Sequence, residues 1–265
     1  MTESIVVRNV SKEFTLRYHR SIKQITIAAI RGQKIADRFR ALDDVSFTVQ
    51  QGESVGLMGL NGSGKSTLLR LVNGVMRPDA GEVLTRGRIA GLIATGAGFH
   101  PRLSGRDNIY LNAAILGMTE SETNRKFEQI VEFADIGRHL DAPVGNYSSG
   151  MFSRLGFAVA VHTDSDIFLM DEVLAVGDKP FKQKCLARME EIRKEGRTMF
   201  YVSHAAGSVR RMCDRVLVLE EGKLGFDGPV DEGIRYVKYD EPERSGTDED
   251  EDEFDETDEE LGADI

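Results

Sequence analysis

Tryptophan is absent from this 265-residue chain, and cysteine occurs only twice, at Cys185 and Cys213. Two isolated cysteines cannot build a disulfide framework or a zinc cluster, so both read as reduced structural thiols. Redox and metal-cluster chemistry drop out. Long apolar runs are missing as well. The richest stretch, Leu155 to Val161, falls far short of the roughly 18 to 20 residues a membrane-spanning helix requires, and the N-terminus lacks the apolar core of a secretory leader. These absences predict a soluble chain that stays in the cytoplasm. No internal repeat is present, and a hydrophobic fraction of 40% with 29% charged residues excludes a collagen, a coiled-coil rod and a wholly disordered chain.

The charge is unevenly placed. The net charge of -10 comes from the last 26 residues, where fifteen acids stand against the single base Arg244, a local charge of -14 that leaves +4 for residues 1–239. The segment Thr247 to Glu260 repels itself and holds almost nothing apolar, so residues 241–265 are expected to form a disordered acidic tail. Its simplest role is to solubilise; docking of a basic partner is the other reading. A second biased segment, Arg17 to Arg40, holds seven Arg or Lys residues against Asp37 alone and carries a stripe of Ile22, Ile25, Ala29 and Ile30. That spacing predicts a basic amphipathic helix inserted into the N-terminal β unit, either a plain solvated insertion or a surface for lipid headgroups or an anionic substrate.

Short β-branched runs alternate with helical patterns over residues 1–240, which predicts an α/β domain with a largely parallel sheet. The expected strands are Ile5 to Asn9, Val45 to Val49, Ser54 to Met58, Ile167 to Met170, Thr198 to Val202 and Arg215 to Glu220. The expected helices are Gly64 to Val75, Glu120 to Ala134, Phe152 to His162, Phe181 to Lys194 and Ala206 to Cys213. Strand signals vanish over about 96–165, which predicts an inserted helical subdomain.

The segment Gly59-Leu-Asn61-Gly62-Ser63-Gly64-Lys65-Ser66 satisfies the phosphate-binding pattern G-x-x-x-x-G-K-[ST], and it falls between an expected strand and an expected helix, as that chemistry demands. Glycines let backbone N–H groups turn inward around a phosphate, and the helix N-terminus adds positive partial charge. Lys65 reaches the β and γ oxygens, while the Ser66 hydroxyl, followed by Thr67, suits a Mg²⁺ ion. A second run, Ile167 to Met170, ends in Asp171-Glu172, placing two carboxylates at the strand edge where α/β sheets bind ligands. Asp171 would serve Mg²⁺ and Glu172 would polarise an attacking water. At the end of the next strand, His204 stands where an imidazole meets a γ-phosphate or that water.

With these motifs in place, Asn146-Tyr-Ser148-Ser149-Gly150-Met151 resembles the signature of ATP-binding cassette (ABC) ATPases, usually written LSGGQ, with departures at Tyr147, Ser149 and Met151. Ser148 and Gly150 open a helix, so free N–H groups and the positive end of its dipole face outward. The resemblance implies a P-loop NTPase fold: a RecA-like α/β core, the inserted helical subdomain and an antiparallel β unit at the N-terminus. It further implies ATP and Mg²⁺ as cofactors and a head-to-tail homodimer in which each signature completes the partner's nucleotide site. It puts Asp178 in the D-loop, His204 in the switch position and an aromatic against adenine, either Phe14 or Tyr18. The glutamine that the family places after the strand leading into the helical subdomain is missing from Ala90 to Phe99, leaving Thr95 or a water as its substitute.

Within that family, Gly96 to Ile109, Tyr147 to Met151, Arg154 to Ala160 and Glu172 to Asp178 are similar to the ATPase subunits of bacterial polysaccharide, O-antigen and teichoic acid exporters. The resemblance implies ATP hydrolysis coupled to export of a lipid-diphosphate-linked polysaccharide, with an integral membrane permease as partner and the cytoplasmic face of the plasma membrane as location. It also gives the basic insertion a place at the membrane face. The chain ends too soon for the carbohydrate-binding sandwich that some members append, and an actinobacterial cell-wall galactan exporter is one instance that fits. Nucleic acid is not an expected partner, since cassettes that act on DNA or ribosomes carry paired cassettes or long coiled-coil arms. Two alternatives stay open: another transporter type, because importers and drug exporters share every ATP-binding residue, and a nucleotide-dependent ABC protein that acts on nucleic acid or the ribosome instead of in transport.

Overall fold

The computed structural model describes residues 2–17, 36–92, 98–171 and 178–239. The acidic tail, most of the basic insertion, Tyr18, Thr95 and Glu172 lie outside the described residues.

A six-stranded sheet forms the centre. Its strands are β3 (Ser54–Met58), β5 (Ile89–Leu92), β6 (Ile167–Met170), β7 (Thr198–Val202), β8 (Arg215–Glu220) and β9 (Lys223–Gly228), ordered β5-β6-β7-β3-β8-β9. All are parallel to their neighbours except β9, which pairs antiparallel with β8. The parallel strands are apolar on both faces because both faces are covered. Successive side chains divide between two cores with period two: Val55, Leu57, Ile167, Leu169, Phe200, Val202, Leu217 and Leu219 enter one, and Phe168, Met170, Met199, Tyr201, Val216 and Val218 the other.

The first of these cores is closed by a three-stranded antiparallel sheet of order β2-β1-β4, made from β1 (Glu3–Arg17), β2 (Ala36–Gln50) and β4 (Ala80–Thr85). Ile5, Val7, Leu42, Val45 and Phe47 face inward, and the Phe47 ring stacks on Phe200 at 5.8 Å. The ribbon β1–β2 corrects the predicted insertion. Arg17 pairs with Ala36, Leu16 with Asp37, and Phe14 with Phe39, so Arg17 and Ala36 to Arg40 are strand, not amphipathic helix. The reason is local: Phe39 and Ala41 alternate with Arg38 and Arg40, a period of two that an antiparallel partner satisfies.

The second core is covered by helices. Between β5 and β6 come α2 (Gly105–Ile115), α3 (Glu120–Ala134) and α4 (Ser149–Val161); α5 (Lys179–Lys194), α6 (Ala206–Met212) and α7 (Val230–Tyr239) follow. Thr119 and Glu122 form a reciprocal capping box at the start of α3, and the main-chain hydrogen bond from Thr119 is the first cause holding the Glu122 carboxyl down at about 2. Every residue of α4 from Leu155 to Val161 is buried, because this helix runs between the helical layer and the sheet. It starts at Ser149, three residues before the predicted Phe152. Burial pushes the thiols of Cys185 and Cys213 up to about 12, so both stay protonated packing groups.

Candidate functional site

The parallel sheet brings its strand ends to one edge. β3 leads through the glycine turn into α1 (Lys65–Val72), and its neighbour β7 separates it from β6. The turn accepts only glycine at two points. Gly59 has φ 138°, and a Cβ there would stand 2.2 Å from the Leu219 carbonyl oxygen; Gly64, with φ 107°, would put one 2.5 Å from the Ala41 carbonyl oxygen. Both positions combine a left-handed backbone with close main-chain approach.

Lys65 opens α1 and is buried, at 7% exposure. Its Nζ donates to the carbonyl oxygens of Gly59 at 2.6 Å and Leu60 at 2.9 Å, so the ammonium is folded back over the turn. In the same turn, the buried Ser63 hydroxyl has no hydrogen-bond partner among the described residues.

A cleft of about 270 Å³ lies over this turn. Its lining includes Asn61, Gly62, Gly64, Lys65, Ser66 and Thr67, with Phe39 and Ala41 from β2 and Asp171, Val202 and His204 from the ends of β6 and β7. Lys65, Ser66, Asp171 and His204, separated by up to 139 positions in sequence, thus share one cavity. The cradle fits a polyphosphate: glycines that admit close backbone approach, a buried ammonium and an orphaned buried hydroxyl. The donor set also fits Mg²⁺, since an exposed hydroxyl on Ser66 and a carboxylate on Asp171 are hard oxygens, and this ion is usually held by only one or two protein groups beside substrate phosphate. Among the described residues no group of three or more His, Cys, Asp or Glu side chains is placed to hold a metal ion.

The aromatic in the cleft is Phe39, half-exposed at 48%, rather than Phe14. Phe14 stands directly across the ribbon from it, with the Lys12 ammonium 5.9 Å from its ring centroid. Phe39 is not among the predicted aromatics, because the charges of Arg38 and Arg40 on either side mask its place in the strand.

The predicted residues Ser148, Ser149, Gly150 and Asp178 lie away from the cleft in the single chain. Ser148 caps α4, its hydroxyl accepting from the Met151 N–H at 3.2 Å; Ser149 is exposed and Gly150 half-buried. Asp178 caps α5 and accepts a 2.6 Å hydrogen bond from Arg154 of α4, whose guanidinium lies 4.9 Å over the Phe181 ring. This Arg154–Asp178 link ties the start of the signature helix to the D-loop position, a contact with no local sequence signal.

A family model described as ABC transporter matches residues 42–175. The chain is 44% identical over 234 residues to an O-antigen export system ATP-binding protein, RfbB, of Klebsiella pneumoniae, covering 87% of this chain and 95% of that protein. It is 43% identical over 237 residues to the teichoic acids export ATP-binding protein TagH of Listeria innocua, covering 89% and 70%. A solved ATP-binding subunit of an ABC transporter superposes with a TM-score of 0.70 at 23% identity, covering 89% of this chain and 93% of that one; at that identity the likeness speaks for the fold alone.

Proposed function

Because this chain belongs to the ABC transporter family, we propose that it is the ATP-hydrolysing subunit of an exporter that carries a lipid-diphosphate-linked cell-surface polysaccharide across the cytoplasmic membrane. The observation that carries the chemistry is the convergence of Lys65, Ser66, Asp171 and His204 on one cleft over a glycine turn. The cargo reading rests on relatives named for O-antigen and teichoic acid export.

In this reading the N–H groups of the turn and of the start of α1 bind the β and γ phosphates, and Lys65 balances their charge. Ser66 and Asp171 hold Mg²⁺, which when bound neutralises phosphate charge. Glu172 takes a proton from the attacking water and His204 positions that water or the γ-phosphate. Ser148, Ser149 and Gly150 serve the cleft of a second copy, with Asp178 beside them. The homodimer docks on a separate membrane permease, and no helix among the described residues is long and apolar enough to span a bilayer itself. The test is co-purification of the subunit with a multi-span membrane protein, followed by mass determination of the bound lipid. A lipid-linked glycan is expected; an amino acid, metal chelate or drug-like ligand in its place would overturn the cargo.

Adenine stacks on Phe39. Phe39→Ala is expected to raise the KM for ATP about tenfold, with kcat little changed, since loss of one base–aromatic stack costs about 1–3 kcal/mol. Phe14→Ala, one strand further out, should leave the KM near its original value. The opposite pattern in steady-state kinetics would return the assignment to Phe14.

A further inference from the structure

We propose that Tyr147, which replaces the leucine of the signature motif, is a positioning residue that pins the turn Ser148-Ser149-Gly150 to the helical layer, so that the turn is preset for a second copy's triphosphate. This rests on the reading that the signature completes the partner's nucleotide site.

Tyr147 follows a short 3-10 turn, Val144–Asn146, and its backbone is extended just before α4 begins. Its side chain does not simply fill space. The phenol donates a 2.7 Å hydrogen bond to the His139 carbonyl oxygen, and the ring packs against the helical core. The phenol oxygen also lies so close to Gly105, the first residue of α2, that a Cβ there would stand 2.2 Å from it. Gly105 itself is held in place, its N–H donating to the Ala142 carbonyl at 3.2 Å, while the Arg106 N–H donates to Leu140 at 3.0 Å. One side chain therefore joins the start of α2, the 3-10 turn Gly137–His139 and the residue preceding the signature serines.

A leucine lacks the hydroxyl and makes none of these polar ties. Burial first, and the Asp141 carboxylate second, hold the phenol above its ordinary range, so it remains a donor through neutral pH. Ser148 and Ser149 next to it are exposed; the Ser148 cap on Met151 and the Phe152 N–H on the Ser148 carbonyl tie them to α4, and this anchor ties that helix start to the rest of the helical layer. An exposed turn that must meet a ligand on another molecule loses affinity when it has to be ordered at the moment of contact.

The experiment uses the full chain carrying Glu172→Gln, with ATP-dependent dimerisation followed by light scattering and nucleotide binding to the monomer followed separately with a fluorescent ATP analogue. Tyr147→Ala is expected to weaken dimerisation about 10- to 100-fold, the order of loss that misplaced binding groups produce. Tyr147→Phe, which keeps the ring, should weaken it only about threefold, the loss of one neutral hydrogen bond. Gly105→Ala should act like Tyr147→Ala although Tyr147 is still present. Adding Tyr147→Phe to it should recover part of the loss, because the 2.2 Å clash with the hydroxyl goes, leaving the new methyl 3.2 Å from the nearest ring carbon and 3.0 Å from the Leu140 carbonyl oxygen. In each case nucleotide binding by the monomer and the thermal midpoint should stay within about twofold and a few degrees of the parent. Dimerisation of Tyr147→Ala equal to the parent, or a loss matched by the monomer's own nucleotide affinity, overturns the proposal alone. A parent that never dimerises with ATP overturns the underlying reading of the signature, and this inference with it.

Discussion

Lys65→Ala is expected to lower ATP turnover in the assembled transporter about 10²- to 10³-fold, or about 2.7–4 kcal/mol, the loss seen when one preorganised charge-stabilising group is removed. The fold should survive, because alanine is the best helix former for the first position of α1 and the apolar residues Leu68, Leu69, Leu71 and Val72 that anchor this helix are untouched. What disappears is the buried ammonium that the Gly59 and Leu60 carbonyls hold over the turn. Those two carbonyl dipoles then lose their cation, and the site keeps only the N–H groups of the turn and of the start of α1 to attract an anion. Lys65→Arg should not rescue: the two carbonyls grip a compact ammonium, and a planar guanidinium offers its donors in a fork of different shape. Phosphate release from the transporter in membranes measures turnover, and a nucleotide titration measures binding. An alanine variant that turns over at the unmodified rate would remove Lys65 from the mechanism.

The central strands were legible because they are buried on both faces. β3, β6, β7 and β8 match the predicted spans, each an apolar run bounded by turn residues or charges. β4 escaped notice because nearly all its positions face solvent and its partner β1 is distant in the chain; β5 is only four residues long; β9 returns from β8 through the two-residue turn Glu221-Gly222, and its outer face is exposed, so its apolar positions are few. α2 was missed for a related reason. Its inward face interleaves Asn108 and Asn112 with Ile109 and Ala113, and Asn108 offsets its burial by hydrogen bonds to the carbonyls of His100, Leu103 and Ser104. Buried polar groups that break up the apolar positions weaken the hydrophobic period that marks a helix.

The same contrast divides the site. The glycine turn, Lys65 and Ser66 are adjacent in sequence and their chemistry is written as a motif, whereas Phe39 sits between Arg38 and Arg40 in a stretch whose charge dominates its pattern. Only the folded cleft, whose lining takes in Phe39 and Ala41 of β2 beside the glycine turn, shows that its ring stands at the site. The Arg154–Asp178 ion pair and the Tyr147–Gly105 contact join residues 24 and 42 positions apart, distances at which composition and spacing carry no information about neighbours.

Glu172→Gln should separate binding from hydrolysis in a way that Lys65→Ala does not. Glutamine keeps the shape of glutamate and loses its charge and its capacity to accept a proton, and a positioned general base contributes about 10²- to 10⁴-fold to such a reaction. Asp171, the preceding residue, lines the cleft at the end of β6, so the neighbouring carboxylate is the one that sequence offers for the water, while Asp171 and Ser66 keep their service to Mg²⁺. The expected result is a protein that binds ATP with undiminished affinity, accumulates as a dimer by light scattering, and releases phosphate at least about 10²-fold more slowly. The two substitutions then give opposite signatures at the same cleft: Lys65→Ala weakens the hold on ATP and yields little dimer, whereas Glu172→Gln holds ATP and cannot let the dimer go. Hydrolysis by the glutamine variant at the unmodified rate in the complete transporter would show that another group takes the proton, with His204 the next to be tested because it lines the same cleft and already stands beside the water or the γ-phosphate in this reading.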